Sequence, residues 1–278
     1  MGAAAAVSPR AGPEAMALLQ LEALTRRFGG VEAVSNIGLE VPAGRITGVI
    51  GPNGAGKTTL VNLITGMLLP SEGRITFDGR DISRLEPAAI ARLGVARTFQ
   101  TIRLLGDASA LDNVVAGFHR HQRSSTLANL LGLPAARREL AGFRGRARSL
   151  LARFGVAAYA DVPAGELSYG HQRRVEMARA LALEPRLLLL DEPVAGMNDV
   201  EALALGEVFR SLAADGMGVL LIEHNMRFVM ALCGWIHVMD SGRLIASGTP
   251  AQIASHPDVI RAYLGADVPA LEPEADLA

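Results

Sequence analysis

Gly51-Pro52-Asn53-Gly54-Ala55-Gly56-Lys57-Thr58 has the spacing G-x-x-x-x-G-K-[ST] of a phosphate-binding loop. Glycines at those places let backbone N–H groups curl around phosphate oxygens without a Cβ in the way, and the start of a following helix adds donors and positive dipole. Lys57 would then bridge the β and γ phosphates and the Thr58 hydroxyl would ligate Mg2+, with Thr59 beside it in the nucleotide-contacting set. Composition singles out Lys57 as well. It is the one lysine among 27 basic residues. An ammonium is a compact point charge and a guanidinium a wide planar fork, so the one place that uses Lys is expected to be narrow and close to its anion.

The run Leu187 to Leu190 ends in two adjacent carboxylates, Asp191 and Glu192. An apolar strand ending this way puts acids at the carboxyl edge where open α/β sheets bind ligands. Asp191 suits the shell of a Mg2+ ion, and Glu192 suits a general base that polarises an attacking water. An ordinary strand cap is the plainer meaning of the same pair. Ser168, before a helical pattern, has the usual meaning of an N-cap. His224, ending VLLIEH, is by itself more often a satisfied structural histidine, and Gln100, ending VARTFQ, is by itself a loop residue. Phe28 reads either as a core aromatic or as a stacking surface.

Such groups need strand ends and helix starts brought together. Ile46 to Ile50 reads as a buried strand broken by Gly51, and from Lys57 the positions Leu60, Leu63, Ile64, Met67 and Leu68 follow helical spacing to a stop at Pro70. Leu18 to Leu24 and Ile37, Leu39, Val41 alternate as half-buried strands do. Gly73 to Phe77 with the Asp78-Gly79 turn predicts a strand, Pro87 to Leu93 a short helix, and Val95 to Phe99 a strand running into Gln100. From Leu104 to Phe154 apolar residues fall three and four apart, which predicts a helical insertion. Strands return at Leu187 to Leu190, Val219 to Ile222, Trp235 to Met239 and Leu244 to Ala246. Strands alternating with helices imply an α/β fold with a mostly parallel sheet covered on both faces.

A chain of 278 residues with 50% apolar content excludes intrinsic disorder and a disulfide-stapled miniprotein. Cys233 is the single cysteine and can form no internal disulfide. No apolar run approaches the roughly 20 residues that cross a bilayer, and residues 1 to 20 show no secretory signal, so a cytoplasmic protein is expected. A net charge of -1 argues against global attraction to nucleic acid or anionic lipid. Locally, Arg120 to Arg153 holds eight arginines against the one acid Glu139, which predicts a basic face that is either merely solvated or turned to anionic headgroups. Without interleaved aromatics, nucleic acid is disfavoured as a partner.

The segment LSYGHQRRVEMARAL, from Leu167, resembles the LSGGQ signature of ABC-type ATPases and lies in that family's order, between the phosphate loop and the Asp-Glu strand. Tyr169 and His171 depart from the pattern. The resemblance runs from about Leu18 to Gly265. It implies an α/β P-loop NTPase core of the ABC ATPase type over residues 17–265, with an N-terminal β subdomain and a helical subdomain inserted at about 104–165. Residues 1–16 would be a flexible extension and 266–278 a C-terminal tail. It further implies ATP and Mg2+: Phe28 stacked on adenine, Gly51 to Thr59 around the phosphates, and Thr58, Gln100 and Asp191 at the metal. Glu192, His224 and Gln100 would form the catalytic set. Ser168 and Gly170 would reach the nucleotide of a second ATPase subunit, identical or different. Asn198 stands where the family usually has Asp. More finely, VARTFQTIRLL, DEPVAGMN, IEHNM and the stretch GTPAQIASHPDVIRAYLG are similar to the larger ATP-binding subunit of branched-chain amino acid importers. That implies transmembrane permease subunits docking near Gln100, an extracytoplasmic binding protein acting indirectly, and a peripheral position on the cytoplasmic face of the inner membrane. An ATPase for urea, another amide or lipid would share every one of these residues. A soluble ABC ATPase acting on nucleic acid or ribosomes usually carries two cassettes or a long coiled coil.

Overall fold

The computed structural model describes residues 17–98 and 102–264. The expectations for residues 1–16, Gln100 and residues 266–278 fall outside them. The chain enters as an antiparallel hairpin, β1 (Ala17–Phe28) and β2 (Val31–Pro42), then crosses to β3 (Ile46–Ile50), the glycine loop and α1 (Lys57–Ile64). It returns with β4 (Glu72–Phe77) and the short β5 (Arg80–Asp81), joined through Asp78 and Gly79, both at positive φ, as a two-residue hairpin turn demands. Helix α2 (Pro87–Leu93) leads to β6 (Val95–Arg97). The helical segment follows with α3 (Ala110–Gly117), α4 (Thr126–Leu130), α5 (Pro134–Arg153) and α6 (Tyr169–Leu181). Then β7 (Leu187–Asp191), α7 (Asp199–Ala214), β8 (Gly218–Ile222), α8 (Met226–Leu232), β9 (Trp235–Asp240), β10 (Arg243–Gly248), α9 (Pro250–Ala254) and α10 (Pro257–Leu264) complete the described chain.

Two sheets result. One is antiparallel in the order β2-β1-β4-β5; the other runs β10-β9-β3-β8-β7-β6, parallel except for β10 at its edge. Alternation along a strand explains the double cover. In β7, Leu188 and Leu190 join the core shared with the helical segment, while Leu187 and Leu189 join the core shared with α1 and the antiparallel sheet. In β8, Val219 and Leu221 part from Leu220 and Ile222 in the same way. An uninterrupted apolar run is what a strand buried on both faces requires.

Three expected boundaries move. Helix α1 ends at Ile64 and not at Pro70, because Gly66 turns left-handed at φ +70 and packs so tightly that a Cβ would sit 2.6 Å from the Leu85 carbonyl oxygen. Met67 is consequently outside the helix and exposed. The helical segment opens with a loop. α3 starts at Ala110, where Ser109 caps it by accepting from the Asp112 N–H at 3.0 Å, and buried Asn113 holds the loop through Leu105 and Ala108. Strand β6 stops at Arg97, short of the expected Phe99. The expected basic face is also halved. Arg144, Arg146, Arg148 and Arg153 pair with Asp112, Glu184, Asp161 and Asp215. Among the described residues no helix is long and apolar enough to cross a membrane.

Candidate functional site

The loop after β3 is shaped by what lies under it. Gly51, at φ +156, has no room for a Cβ, which would collide with the Met239 carbonyl; at Gly56, φ +96, a Cβ would collide with the carbonyl of Ala33 in β2. Gly242 fastens the underside, its N–H donating to Ala55 O at 3.1 Å and its carbonyl accepting from Ser35 N–H at 2.8 Å. Above the loop lies a cavity of about 520 Å3, lined by Asn53 to Thr59 and by Val31, Ala33, Asp191, Glu192 and Gly242, among others. Thr58 is exposed to it and Lys57 is 8% exposed.

The Lys57 ammonium donates to the carbonyls of Gly51 at 2.6 Å and Pro52 at 2.9 Å, which fixes it over the loop. Burial pulls its pKa below the ordinary lysine value, against the attraction of Glu192, Asp191 and Glu223. Two of those carboxylates, Asp191 and Glu192, line the same cavity.

At the carboxyl end of β7 the buried Asp191 receives Arg97 Nη2 on Oδ2 at 3.0 Å, and its N–H donates to Thr98 Oγ1 at 3.3 Å. Arg97 also donates to Asn62 Oδ1 of α1 at 2.6 Å, so one guanidinium ties β6, α1 and β7 together. Glu192 follows at φ +49, its N–H held by Ile222 O at 2.9 Å. His224 Nδ1 lies 3.5 Å from Glu192 Oε1, bringing the ends of β7 and β8 to one point. Phe28 is 45% exposed at the end of β1, under the Arg26 guanidinium at 4.7 Å, and is therefore no core aromatic. Its neighbour Val31 lines the cavity.

Ser168 caps α6, accepting from the His171 N–H at 3.4 Å, and is itself exposed, as is Tyr169. His171 rests on Tyr159, ring centroids 4.3 Å apart, and Gly170 has open space where a Cβ would be. Asn198 caps α7 in a reciprocal box with Glu201, accepting from its N–H at 2.9 Å.

Besides Arg97, two residues escaped sequence reasoning. Arg173, fully buried, donates to the carbonyls of Asp191 and Glu192 and to Glu176. Glu223, 1% exposed, accepts from the N–H groups of Val194, His224 and Asn225, and burial pushes its carboxyl above the ordinary value against those bonds. An arginine in a helix and a glutamate beside a histidine carry no local signal; only their burial reveals them.

Comparison with known proteins agrees with this arrangement. The ABC transporter family model matches residues 34–195, and that of the branched-chain amino acid ATP-binding cassette transporter matches 243–269. The high-affinity branched-chain amino acid transport ATP-binding protein BraF of Pseudomonas aeruginosa is 43% identical over 197 residues, 70% of this chain and 77% of BraF. LivG of Salmonella typhimurium, of the same description, is 42% identical over the same shares. The ADP conformation of MJ1267, an ATP-binding cassette of an ABC transporter, superposes with a TM-score of 0.78 at 33% identity, covering 90% of this chain and 99% of that one. Because the match over 34–195 takes in the glycine loop, α6 and the end of β7 together, the chain belongs to the ABC transporter family, as an ATP-hydrolysing subunit.

Proposed function

We propose that this chain is the ATPase that energises an importer of branched-chain amino acids, docked on separate membrane subunits and paired with a second cassette. The observation that carries the substrate class is the second family match, over 243–269, which lies outside the catalytic residues and sets this branch apart from cassettes with the same loop. Identity of 43% to BraF supports it.

In this reading the loop amides and Lys57 bind the phosphates, Phe28 offers its face to adenine, and Gln100 completes the set from the segment after β6. Mg2+ takes one or two protein oxygens and leaves the rest of its shell to phosphate and water. The exposed Thr58 hydroxyl and the Asp191 carboxylate, both on the cavity, fit that demand. When bound, the ion would neutralise charge on the phosphates. Glu192 holds the attacking water and accepts its proton, while His224 at 3.5 Å orients that carboxylate and reaches toward the γ-phosphate. Ser168, exposed, and Gly170, half-buried with open space beside its Cα, stand at the start of α6 and contact the nucleotide on the opposite subunit, so that ATP joins two cassettes and hydrolysis parts them.

Glu192→Gln tests the assignment. Turnover is expected to vanish while ATP-dependent association, followed by sedimentation, persists; hydrolysis at the wild-type rate would remove Glu192 as the base. The substrate class is tested by purifying the chain with its membrane subunits and measuring ATP-dependent uptake of leucine, isoleucine and valine in vesicles. Failure to transport any of them would overturn the substrate reading and leave the ATPase intact.

A further inference from the structure

The stretch from Asp191 to Val194 is held from two sides by buried charged groups that belong to neither the phosphate loop nor the proposed catalytic set. From the α6 side, Arg173 Nη2 donates to Asp191 O at 3.0 Å and to Glu192 O at 3.1 Å. Its Nη1 donates to Glu176 Oε2 at 2.9 Å, one turn along the same helix, which fixes the guanidinium plane. From the β8 side, Glu223 Oε1 accepts the Val194 N–H at 3.3 Å, and Oε2 accepts those of His224 at 3.0 Å and Asn225 at 3.4 Å. Between these two attachments stands Glu192 at φ +49, a left-handed backbone that an L-residue keeps only when its surroundings impose it. A charged side chain is buried at a cost that needs compensation by hydrogen bonds of this kind. Among the described residues, Arg173 directs two such bonds to the carbonyls of the turn that carries Glu192, and Glu223 joins that turn at Val194 to the backbone of His224 and Asn225.

We propose that Arg173 and Glu223 are positioning residues for hydrolysis: together they clamp the Asp191–Val194 turn, one by its carbonyls and one by its amide, and so aim the Glu192 carboxylate. The clamp acts through Glu192, so it rests on Glu192 being the base. It also ties the catalytic turn to α6, whose first turn presents Ser168. Neither residue lines the nucleotide cavity, so neither touches the nucleotide, although the Glu223 charge acts on Lys57.

Arg173→Lys keeps the charge facing Glu176 but replaces the planar fork that spans two carbonyls. Glu223→Gln keeps the size and one acceptor oxygen but turns an NH2 group toward backbone donors. Each is expected to lower kcat about 100-fold, the scale of a small misplacement of a reacting group. The melting temperature is expected to fall by several degrees, because buried donors and acceptors lose partners, with each variant still folded at the assay temperature. ATP affinity, measured by calorimetry with Mg2+, is expected to change far less than kcat, by a few-fold at most in Glu223→Gln, whose lost charge acts on Lys57. Removing Arg173 alone would strand the buried Glu176. The double variant Arg173→Met, Glu176→Leu removes the fork without that penalty and is expected to show the same loss of kcat. Glu192→Gln runs alongside as a control. If it abolishes turnover and the folded Arg173 and Glu223 variants hydrolyse at the wild-type rate, the clamp is refuted and the base stands. If Glu192→Gln itself hydrolyses normally, the base reading fails first. A fall in ATP affinity or melting temperature that accounts for the fall in rate would reduce both residues to structural support and overturn the proposal.

Discussion

Lys57 shows how much one side chain can specify. Its ammonium sits against two carbonyls of its own loop, nearly out of solvent, and the charges of Glu192, Asp191 and Glu223 offset part of what burial takes from its pKa. A guanidinium is too wide to take that place and keep both bonds, and it would carry its charge away from the cavity. Lys57→Arg is therefore expected to weaken ATP binding at least 10-fold, by the geometric argument for non-interchangeable cations, with the fold retained by circular dichroism; wild-type affinity would show that charge alone suffices. The importance of this lysine was legible because its neighbours in sequence are its neighbours in space. The same holds for Asp191 and Glu192 at the end of four leucines. Arg97, Arg173 and Glu223 were illegible for the opposite reason: each derives its meaning from a partner distant in the chain, Arg97 from Asp191 and Arg173 from the peptide carbonyls beyond β7.

At the scale of the element, the glycine loop separates two demands that a sequence motif merges. Gly56 needs its absent Cβ for space, since the Ala33 carbonyl of β2 lies there, and for its backbone at φ +96. Gly54, at φ +82, has nothing within 4 Å of that position and needs glycine for conformation alone. Gly54→Ala is thus expected to cost about 1–2 kcal/mol, the penalty of a left-handed L-residue. Gly56→Ala adds a backbone collision and is expected to cost about 1–3 kcal/mol more, the scale of overpacking. Chemical denaturation of the two variants side by side checks the ranking, and equal losses would contradict it. Strands β3, β7 and β8 were readable from their apolar runs. The end of α1 was not, because Met67 and Leu68 continue the helical spacing by coincidence after Gly66 has already turned the chain. The start of α3 was hidden similarly, since Leu104 packs on the core from a loop.

Over the whole molecule, each motif occurs once, and the nucleotide cavity lies on the loop of β3 while Ser168 opens a helix of the inserted segment. A complete site in the proposed mechanism then needs a second cassette. Ser168→Asp distinguishes the two duties of that serine. Aspartate caps a helix as well as serine does, so α6 keeps its start. Its negative charge would face the γ-phosphate bound to the other subunit and oppose closure. The expected result is unchanged ATP affinity and melting temperature in the isolated chain, with loss of ATP-dependent association and of hydrolysis. Retention of both would remove Ser168 from the interface. The helical segment itself was legible as helices and as arginine-rich, yet its electrostatics were not. Four of its arginines are matched by acids distant in sequence, two within the segment, Asp112 and Asp161, and two outside its expected bounds, Glu184 after α6 and Asp215 after α7. Those partners cannot be counted from a local window of sequence.

The lone lysine has a practical corollary. Apart from the chain's α-amino group, the single primary amine that an acylating or imine-forming reagent can find is the one inside the cradle, where its proton is bound more loosely than usual. Modification mapped to that ε-amine, and told apart from the α-amino group by peptide mass, is thereby a tally of cradle occupancy with no background of surface lysines to subtract, and conjugation at that ε-amine disarms the protein.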